Sequence, residues 1–370
     1  MRMLIIGDAN SLWIKTTIEN TIDTEENQVL LISYGNDKYS DWYESRGIRV
    51  LLIPQNHYGK LNMFVSAKQV YNKIKHEKFD LLIIHFVSRA AMVMGLCLKL
   101  LALKSVAAFW GSDIFRASKS TTLFFRFALR TFDCINITTD AMLEKFHQMY
   151  GYSFDKKITR ARFGINSLNY LKNDSQRLSR FDEIPSDKVV TAVGYNGHLA
   201  QQHIQVINEL RKLPAEVLAQ IHLVFRMTYG GNAEYVKKIK AEVKSLGCTY
   251  SIYTEFLSDE ESVCLTALTD IFIHAQKTDA LSACMLEHLY SGAQVFNPTW
   301  IPYLELQHPS VFYLKYSSFG ELGDLLQTNL IKKEQYDAPM GKMQMRGYIE
   351  RLASWKYLKA DWQKIYYGES

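Results

Sequence analysis

The sequence is poor in cysteine and proline, and it has no long hydrophobic run. Seven prolines and 19 glycines among 370 residues exclude a low-complexity or fibrous chain. The five cysteines are an odd number, are widely spaced and never form a C-x-x-C pair, so they indicate neither a disulfide framework nor a zinc site. A reducing compartment, the cytoplasm, is therefore expected.

The lack of a long apolar segment argues against a membrane-spanning protein. The longest uninterrupted apolar run extends only from Ala90 to Leu98, whereas a spanning helix needs about 20 apolar residues. The N-terminus, MRMLIIGDAN, enters an apolar strand directly and has no signal-peptide features. The sequence predicts a cytoplasmic protein that does not cross a membrane, and the inner face of the plasma membrane is one place where it can bind.

Positive charge is concentrated in the first half of the chain. Residues 1–170 carry 22 Lys or Arg against 15 Asp or Glu, and residues 171–370 carry 21 against 23. Residues 86–132 hold seven basic side chains and a single acid, Asp113. Such a basic face suits an anionic partner, whether a lipid headgroup, a lipid-linked pyrophosphate or a nucleic acid.

Short runs rich in β-branched residues alternate with helical patterns along the whole chain, which predicts an α/β fold with two parallel sheets. We predict an N-terminal Rossmann-like domain over residues 1–170, a polar linker over 171–187 and a C-terminal Rossmann-like domain over 188–340. Residues 341–370 are predicted to form a closing helix. Two such domains would face each other across a central cleft.

The loop after the first strand does not have the dinucleotide-binding pattern. That pattern requires three glycines, and in Gly7-Asp8-Ala9-Asn10-Ser11-Leu12 the second and third glycine positions are Ala9 and Leu12. No NAD and no other cofactor is therefore predicted. The sequence also contains no Asp-x-Asp metal motif, which favours metal-independent chemistry.

The most informative stretch is residues 278–293, TDALSACMLEHLYSGA. A strand is predicted to end at His274 and a helix to begin near Leu281 to Ala283, where small residues would let a diphosphate approach the free N–H groups. Glu287 is placed to accept hydrogen bonds from a ribose diol, and Asp279 lies where a sugar hydroxyl could reach it. The alternative is that Asp279 is a helix cap and Glu287 a solvated helix residue.

The pair Asp279-x7-Glu287, followed by Tyr-Ser-Gly-Ala, resembles the acid-x7-Glu motif of GT-B glycosyltransferases, especially the family 4 group of bacterial polysaccharide enzymes. Asp stands where that family usually has Glu. In the first half, Asp80–His85 resembles the family strand that ends in His, and Ala108–Asp113 resembles its His-Gly-Ser-Asp segment, with Trp110 in the His position.

A second, narrower resemblance is to the 4-acetamidofucose transferases of enterobacterial common antigen. It rests on Val193–Gly197 with His203, and on Met227–Asn232.

The resemblance implies a role for each matching residue. Glu287 would bind the ribose, and Asp279 would hold the transferred sugar. The diphosphate would be bound by the N–H groups of Leu281, Ser282 and Ala283.

Many family members use an Arg and a Lys to neutralise the phosphates. Arg226, at the end of a predicted strand, is the candidate for the Arg, with a surface salt bridge as the alternative. The Lys has no counterpart here, because Gln202-His203 stands near its place.

His85 and Asp113 are the candidate catalytic residues of the N-terminal half. Each follows a predicted strand, and ligands of open α/β sheets collect where such strands end. The His85 imidazole could donate a hydrogen bond to the acceptor or the sugar, and Asp113 could act as a base or orient it. The alternative for an isolated His at a strand end is a structural role.

The segment Thr121–Arg130 combines phenylalanines with two arginines four residues apart, Arg126 and Arg130. Phe124, Phe125 and Phe127 could insert into a membrane interface while the arginines contact anionic lipid. The alternative is a core helix whose arginines extend their charged ends to solvent.

The sequence therefore predicts a GT-B glycosyltransferase that moves a sugar from a nucleotide-sugar donor to a lipid-linked or glycan acceptor in bacterial surface polysaccharide synthesis. No nucleic-acid partner is expected. The alternatives are a nucleotide-sugar 2-epimerase on the same fold, or a non-catalytic sugar- or nucleic-acid-binding protein.

Overall fold

The computed structural model describes residues 1–34, 37–53, 62–171, 178–330 and 339–368. The chain divides into two compact units. Unit 1 comprises Met1–Gly164 and Trp355–Ser370, and unit 2 comprises Ile165–Ser354.

The apolar runs of the first half form a parallel sheet in unit 1. Within the described residues it has seven strands in the order β3-β2-β1-β4-β5-β6-β7, and all neighbouring strands are parallel. The strands are β1 (Arg2–Ile6), β2 (Gln28–Tyr34), β3 (Arg49–Ile53), β4 (Phe79–His85), β5 (Ala102–Ala108), β6 (Cys134–Asn136) and β7 (Ile158–Thr159). Residues 3–6 and 81–84 are at most 1% exposed, as expected for central strands covered on both faces.

The helices of unit 1 connect these strands. They are α1 (Leu12–Thr21), α2 (Ser40–Ser45), α3 (Asn62–Ile74), α4 (Arg89–Leu98), α5 (Ser112–Phe115), α6 (Lys119–Ala128), α7 (Asp140–Tyr150) and, from the end of the chain, α16 (Trp355–Tyr367), with 3-10 turns at Lys99–Leu101, Leu129–Thr131 and Asp155–Lys157. The side chains of Ser88, Ser118 and Thr139 accept a hydrogen bond from the N–H three residues later. Each of these caps satisfies a donor that the first helical turn leaves free, which fixes where α4, α6 and α7 begin.

Unit 2 repeats the plan. Its parallel sheet has the order β10-β9-β8-β11-β12-β13 over the described residues, formed by β8 (Val189–Val193), β9 (Ile221–Arg226), β10 (Thr249–Tyr253), β11 (Ile271–Ile273), β12 (Gln294–Pro298) and β13 (Leu314–Tyr316). The helices are α8 (Ser167–Tyr170), α9 (His203–Leu210), α10 (Ala215–Ala219), α11 (Ala233–Lys244), α12 (Asp259–Leu268), α13 (Ala283–Ser291), α14 (Phe319–Leu330) and α15 (Pro339–Ala353), with 3-10 turns at Ser179–Phe181, Leu199–Gln201 and Leu304–Leu306.

In each sheet the strand order reverses at one point. Strand β1 lies between β2 and β4 in unit 1, and β8 lies between β9 and β11 in unit 2. The loops that leave two such neighbouring strands diverge to opposite faces, which opens a crevice at their carboxyl ends. The residues that follow β1 and β4, and those that follow β8 and β11, are therefore placed to bind ligands.

The predicted fold class is confirmed, and most predicted strands lie within two residues of the observed ones. Three strands differ more. Strand β5 begins at Ala102 instead of the predicted Val106, the short β7 was not predicted, and β13 begins at Leu314, where the strand predicted from Val311 ends. The last two lie at the edges of the two sheets. Edge strands contain less of the continuous apolar sequence by which central parallel strands are recognised.

The segment predicted as a linker is structured where it is described. Its residues 172–177 lie outside the described residues, but Phe181 and Ile184 are at most 1% exposed, and the Phe181 ring lies 5.5 Å from that of Tyr253. Unit 2 therefore begins at Ile165. The polar composition of the segment concealed the two apolar side chains that attach it to unit 2.

The single closing helix predicted for residues 341–370 is two helices. Helix α15 belongs to unit 2 and α16 to unit 1, and Ser354 separates them. Helix α16 buries Trp355 and Trp362, and the Trp362 indole N–H donates to the Arg162 carbonyl oxygen at 2.7 Å. The helical spacing of the tryptophans was predicted correctly, but the break at Ser354 was not.

Candidate functional site

Unit 1 contains a cavity of about 420 Å³ at the carboxyl ends of β1 and β4. One part of its lining is apolar or aromatic and includes Phe86 and Trp110. Another part carries polar groups, including Asp8, Ser11 and the hydroxyl-bearing Tyr34. None of the described residues that line it is Lys or Arg. An amphipathic lining without a cation suits an uncharged polar ligand.

His85 is the last residue of β4 and lies at the base of this cavity, at 2% exposure. Its ring is surrounded by the rings of Trp362, Phe163 and Trp110, with centroids 5.5, 6.0 and 6.1 Å away. Burial lowers the pKa of His85 to about 3, so the imidazole is neutral at physiological pH. Its Nδ1 has no hydrogen-bond partner among the described residues.

Asp113 is not placed to act as a base. Both of its carboxylate oxygens accept hydrogen bonds from main-chain N–H groups, which belong to Val87, Trp110 and Gly111 at 2.8 to 3.1 Å. Burial raises the pKa of Asp113, and these N–H donors act in the opposite direction. Through these hydrogen bonds Asp113 ties the loop after β4 to the loop after β5.

One residue in the loop after β4, which Asp113 holds, has a strained backbone. Phe86 has a φ of 63°, a value that residues other than glycine seldom adopt. Its N–H donates to the Ala108 carbonyl oxygen, and the next N–H, that of Val87, donates to Asp113. Strain of this kind persists only where the surroundings hold it, and it is common at functional sites. In this conformation the exposed Phe86 ring lines the cavity.

In unit 2, Asp279 lies in the loop between β11 and α13. Its Oδ1 accepts from the N–H of Ala280 at 2.7 Å, and its Oδ2 accepts from the Tyr195 hydroxyl at 3.0 Å. The same Oδ2 is 3.6 Å from Nε2 of His274. Burial, and then the neighbouring Asp279 carboxylate, raise the pKa of Tyr195 well above its ordinary value. Asp279 is therefore not the cap of α13, and Ser282 has that role.

Glu287 is the fifth residue of α13, whereas Asp279 precedes the helix, and the Glu287 side chain is half-buried. Its carboxylate accepts from the Ser167 hydroxyl at 2.5 Å. Burial raises the pKa of Glu287, while the Ser167 hydrogen bond and the nearby Arg226 guanidinium lower it. A half-buried acidic side chain of this kind can accept hydrogen bonds from a ligand.

Arg226 ends β9 and is 8% exposed, so the alternative of a surface salt bridge is wrong. Its Nη2 donates to the Ser262 carbonyl oxygen at 2.6 Å and to the Thr266 hydroxyl at 3.1 Å. Both partners belong to α12, which holds the guanidinium near Glu287 and Cys284. The arginine therefore provides fixed positive charge beside the predicted nucleotide-binding helix.

Helix α13 begins at Ala283, and the side chain of Ser282 caps it by accepting from the Met285 N–H at 3.2 Å. Of the three predicted N–H donors, that of Ala283 belongs to the first helical turn, and those of Leu281 and Ser282 immediately precede it. Diphosphate binding at this helix end stays a prediction from the sequence.

The position where the family has a Lys has no cation here. His203 is fully buried, and burial lowers its pKa to about 4, so it is neutral at physiological pH. Gln202 adopts a left-handed conformation and donates to the Ala275 carbonyl oxygen at 2.7 Å. Gly194, with a φ of 64°, leaves the space into which Gln201 and His203 project, since a Cβ there would lie 2.9 Å from each.

Tyr195 and Asn297 are site residues that sequence reasoning did not find. Tyr195 follows β8 and Asn297 lies within β12, and both contact the group around Asp279 and His274. A tyrosine or asparagine near a strand end is too common to be a signal on its own. The order of β8, β11 and β12 in the sheet brings these residues together.

Comparison with known proteins supports the fold and, for the first part of the chain, the resemblance to family 4 glycosyltransferases. Residues 2–139 match the family model described as "Glycosyl transferase 4-like". No curated relative matches the sequence.

Several solved structures are similar over nearly the whole chain. HepE from Anabaena, solved with UDP and glucose, is 15% identical with a TM-score of 0.79 and covers 99% of both chains. A glycosyltransferase from Rickettsia africae is 14% identical with a TM-score of 0.79, covering 99% of this chain and 97% of that one. The sucrose-phosphate synthase of Thermosynechococcus elongatus is 12% identical with a TM-score of 0.77, covering 99% and 98%.

Because the sequence identities are only 12 to 15%, these similarities show a common fold and nothing further. The protein has the GT-B fold, with two Rossmann-like parallel-sheet units. The narrower resemblance to the 4-acetamidofucose transferases stays a prediction from the sequence.

The role of Asp113 predicts a large loss of stability in Asp113→Asn. The variant replaces an acceptor with an NH₂ group that faces main-chain donors, and each buried donor left unsatisfied costs about 1 to 3 kcal/mol. Urea unfolding should show a midpoint well below that of the wild type. Asp140→Asn changes a carboxylate at the exposed start of α7 and should lower the midpoint little. Equal midpoints for the two variants would contradict the proposed tie between the loops.

Proposed function

We propose that this protein is a glycosyltransferase that moves a sugar from a nucleoside diphosphate donor bound by unit 2 to a lipid-linked or glycan acceptor bound by unit 1. The observation that carries the proposal is the placement of Asp279 just before α13 and of Glu287 within it, after the strand β11 that borders the crevice of unit 2. The bound UDP and glucose in HepE support a nucleotide sugar as the donor class.

In the donor site, each group is assigned the part of the ligand that its chemistry suits. Glu287 accepts hydrogen bonds from the ribose diol. The free N–H groups at the start of α13 bind the diphosphate, because a helix N-terminus attracts anions. Arg226 adds fixed positive charge, and Asp279 holds a hydroxyl of the transferred sugar. Departure of the nucleoside diphosphate is then favoured by charge neutralisation and positioning.

No metal ion is included in this mechanism. Metal independence stays a prediction from the lack of an Asp-x-Asp motif.

In the acceptor site, the cavity of unit 1 takes an uncharged sugar ring. Trp110 and Phe86 offer aromatic surfaces on which a sugar can stack, and Asp8 and Ser11 offer groups that bond hydroxyls. Nδ1 of His85 and Nε1 of Trp110 are buried polar atoms without a partner in the described part of the chain, and a sugar hydroxyl would satisfy such atoms. The neutral imidazole suits the predicted hydrogen bond to the acceptor.

The basic excess of unit 1 lies elsewhere, and we propose that it binds an anionic membrane. No helix among the described residues is long and apolar enough to span a bilayer. Of the three phenylalanines predicted to insert, Phe125 is buried and Phe127 is 58% exposed. Leu123, Arg126, Phe127 and Arg130 share one exposed face of α6 and the turn after it. This α6 face combines apolar and basic side chains, as an interfacial helix does.

The first prediction tests the donor site with UDP. Glu287→Ala removes the acceptor for the ribose diol, which should weaken UDP binding by about 1 to 3 kcal/mol, or roughly 5- to 150-fold. Titration calorimetry measures the loss. Glu183→Ala removes a carboxylate that bonds Tyr253 in the same unit and should leave the affinity unchanged. Equal affinity in wild type and Glu287→Ala would exclude the assignment.

The second prediction concerns chemistry in unit 1. Because His85 faces the acceptor in this proposal, His85→Ala should lower kcat strongly and leave the KM for the donor nearly unchanged. His147, which pairs with Asp155 on α7 and the following turn, provides the control His147→Ala. Product analysis over a panel of donors identifies the substrate and separates a transferase from an epimerase or a non-catalytic binder. Wild-type turnover in His85→Ala would make the residue structural.

The third prediction concerns the membrane. The protein should sediment with anionic vesicles at low ionic strength and be released by salt, since each Lys or Arg near the surface contributes about 1 kcal/mol that ions screen. Phe127→Ser should reduce binding, whereas Phe64→Ser, on the exposed face of α3, should not. Equal binding to neutral and anionic vesicles, or an equal loss in both variants, would contradict the role of the α6 face.

A further inference from the structure

His274 is a fully buried histidine beside Asp279 that the donor site described above does not use. It follows β11, and its ring stacks on Tyr195 with the centroids 6.1 Å apart and the planes 14° from parallel. Tyr303 packs nearby at 5.9 Å, and the Tyr316 hydroxyl donates to the His274 carbonyl oxygen at 2.7 Å. The imidazole is thus held in one orientation by neighbours from several elements.

The hydrogen bonds of Asn297 fix where one imidazole proton resides. Nδ2 of Asn297 lies 3.1 Å from the Pro298 carbonyl oxygen and 3.0 Å from that of Ile301. Both are acceptors, so the amide nitrogen must face them, and the amide oxygen must face His274. That oxygen is 2.8 Å from Nδ1 of His274, and it can only accept. Nδ1 of His274 therefore carries a proton.

The other ring nitrogen faces an acidic side chain. Nε2 of His274 is 3.6 Å from Oδ2 of Asp279 and has no hydrogen-bond partner among the described residues. With its one proton on Nδ1, a neutral imidazole would direct a lone pair at a carboxylate oxygen in a buried place, which is unfavourable. A second proton, on Nε2 or on the carboxyl oxygen, turns this contact into an attraction.

We propose that Asn297 and His274 are a positioning pair that keeps one additional proton at the contact between Nε2 of His274 and Oδ2 of Asp279, which are at ion-pair distance. The pair fixes the direction of the Asp279 carboxyl group and offsets its negative charge. What Asp279 then does for the transferred sugar rests on the function proposed above.

The additional proton determines the charge that the sugar meets at Asp279. With this proton, the His274–Asp279 pair is neutral overall, and the carboxyl group still bonds a sugar hydroxyl. The other titratable groups that contact His274 among the described residues include Tyr195, Tyr303 and Tyr316, and burial raises the pKa of each hydroxyl.

The position of the proton can be tested without any ligand. Nitrogen-15 NMR of the histidine side chains in the full chain, with the His274 signal identified by its loss in His274→Gln, should show a proton bonded to Nδ1. Asn297→Leu should abolish this preference, and Asn297→Asp, which keeps an acceptor, should preserve it. A His274 protonated on Nε2 alone in the wild type would overturn the proposal.

The effect on the sugar can be tested by calorimetry with UDP and UDP-glucose. His274→Gln and Asn297→Leu should weaken UDP-glucose binding about tenfold and change UDP binding less than twofold, because Asp279 acts on the sugar and not on the nucleotide. Asn297→Asp should restore most of the loss. His222→Gln alters another buried histidine of the same sheet, bonded to Ser251 and Thr249, and should change neither affinity.

The outcomes separate this proposal from the proposed function. An equal loss of UDP and UDP-glucose affinity in His274→Gln, or the same loss in His222→Gln, would overturn the positioning role. Failure of the wild type to bind UDP would instead contradict the donor site, and the NMR measurement would still decide where the proton lies.

Discussion

The central strands of both parallel sheets are buried on both faces, and this burial determines where polar side chains can contact a ligand. Within a central strand, a polar side chain would need a partner inside the apolar layers. At the carboxyl ends of the strands, main-chain N–H groups and loop side chains are available. His85, Asp113, Arg226 and His274 all lie at or just after such ends. A ligand bound in the crevice where the strand order reverses lies near only those residues that border that crevice.

Burial also determines which of these groups carry charge. The histidines that were the most visible titratable residues in the sequence are largely neutral, because burial lowers the pKa of His85 to about 3 and that of His203 to about 4. Arg226 keeps its positive charge in unit 2, and α12 holds it with two hydrogen bonds. None of the described residues that line the cavity of unit 1 is Lys or Arg. The positive charge that the sequence places in the first half of the chain is therefore separate from this cavity.

The end of the chain completes unit 1. Helix α16 places Trp362 against Phe163 and His85, and Lys104 donates to the Ile365 carbonyl oxygen at 2.5 Å. The aromatic surroundings of His85 therefore come from three distant parts of the sequence. Removing α16 would expose the imidazole to water and abolish the burial that keeps it neutral. The terminal helix is in this sense part of the site, although it contributes no ligand-binding group.

The sequence by itself determined the fold class, nearly all strands and the Asp279-x7-Glu287 pair, because continuous apolar runs identify buried strands and a helix holds its residues at a constant spacing. It also identified His85 as the last residue of a strand. Only the tertiary structure decided what Asp113 does, since the N–H groups around it come from two loops that meet because β4 and β5 are neighbours. The same holds for Asn297, His274 and Tyr195, which lie on β12, β11 and β8 or in the loops that follow. Their contact depends on strand order, and no local pattern encodes strand order.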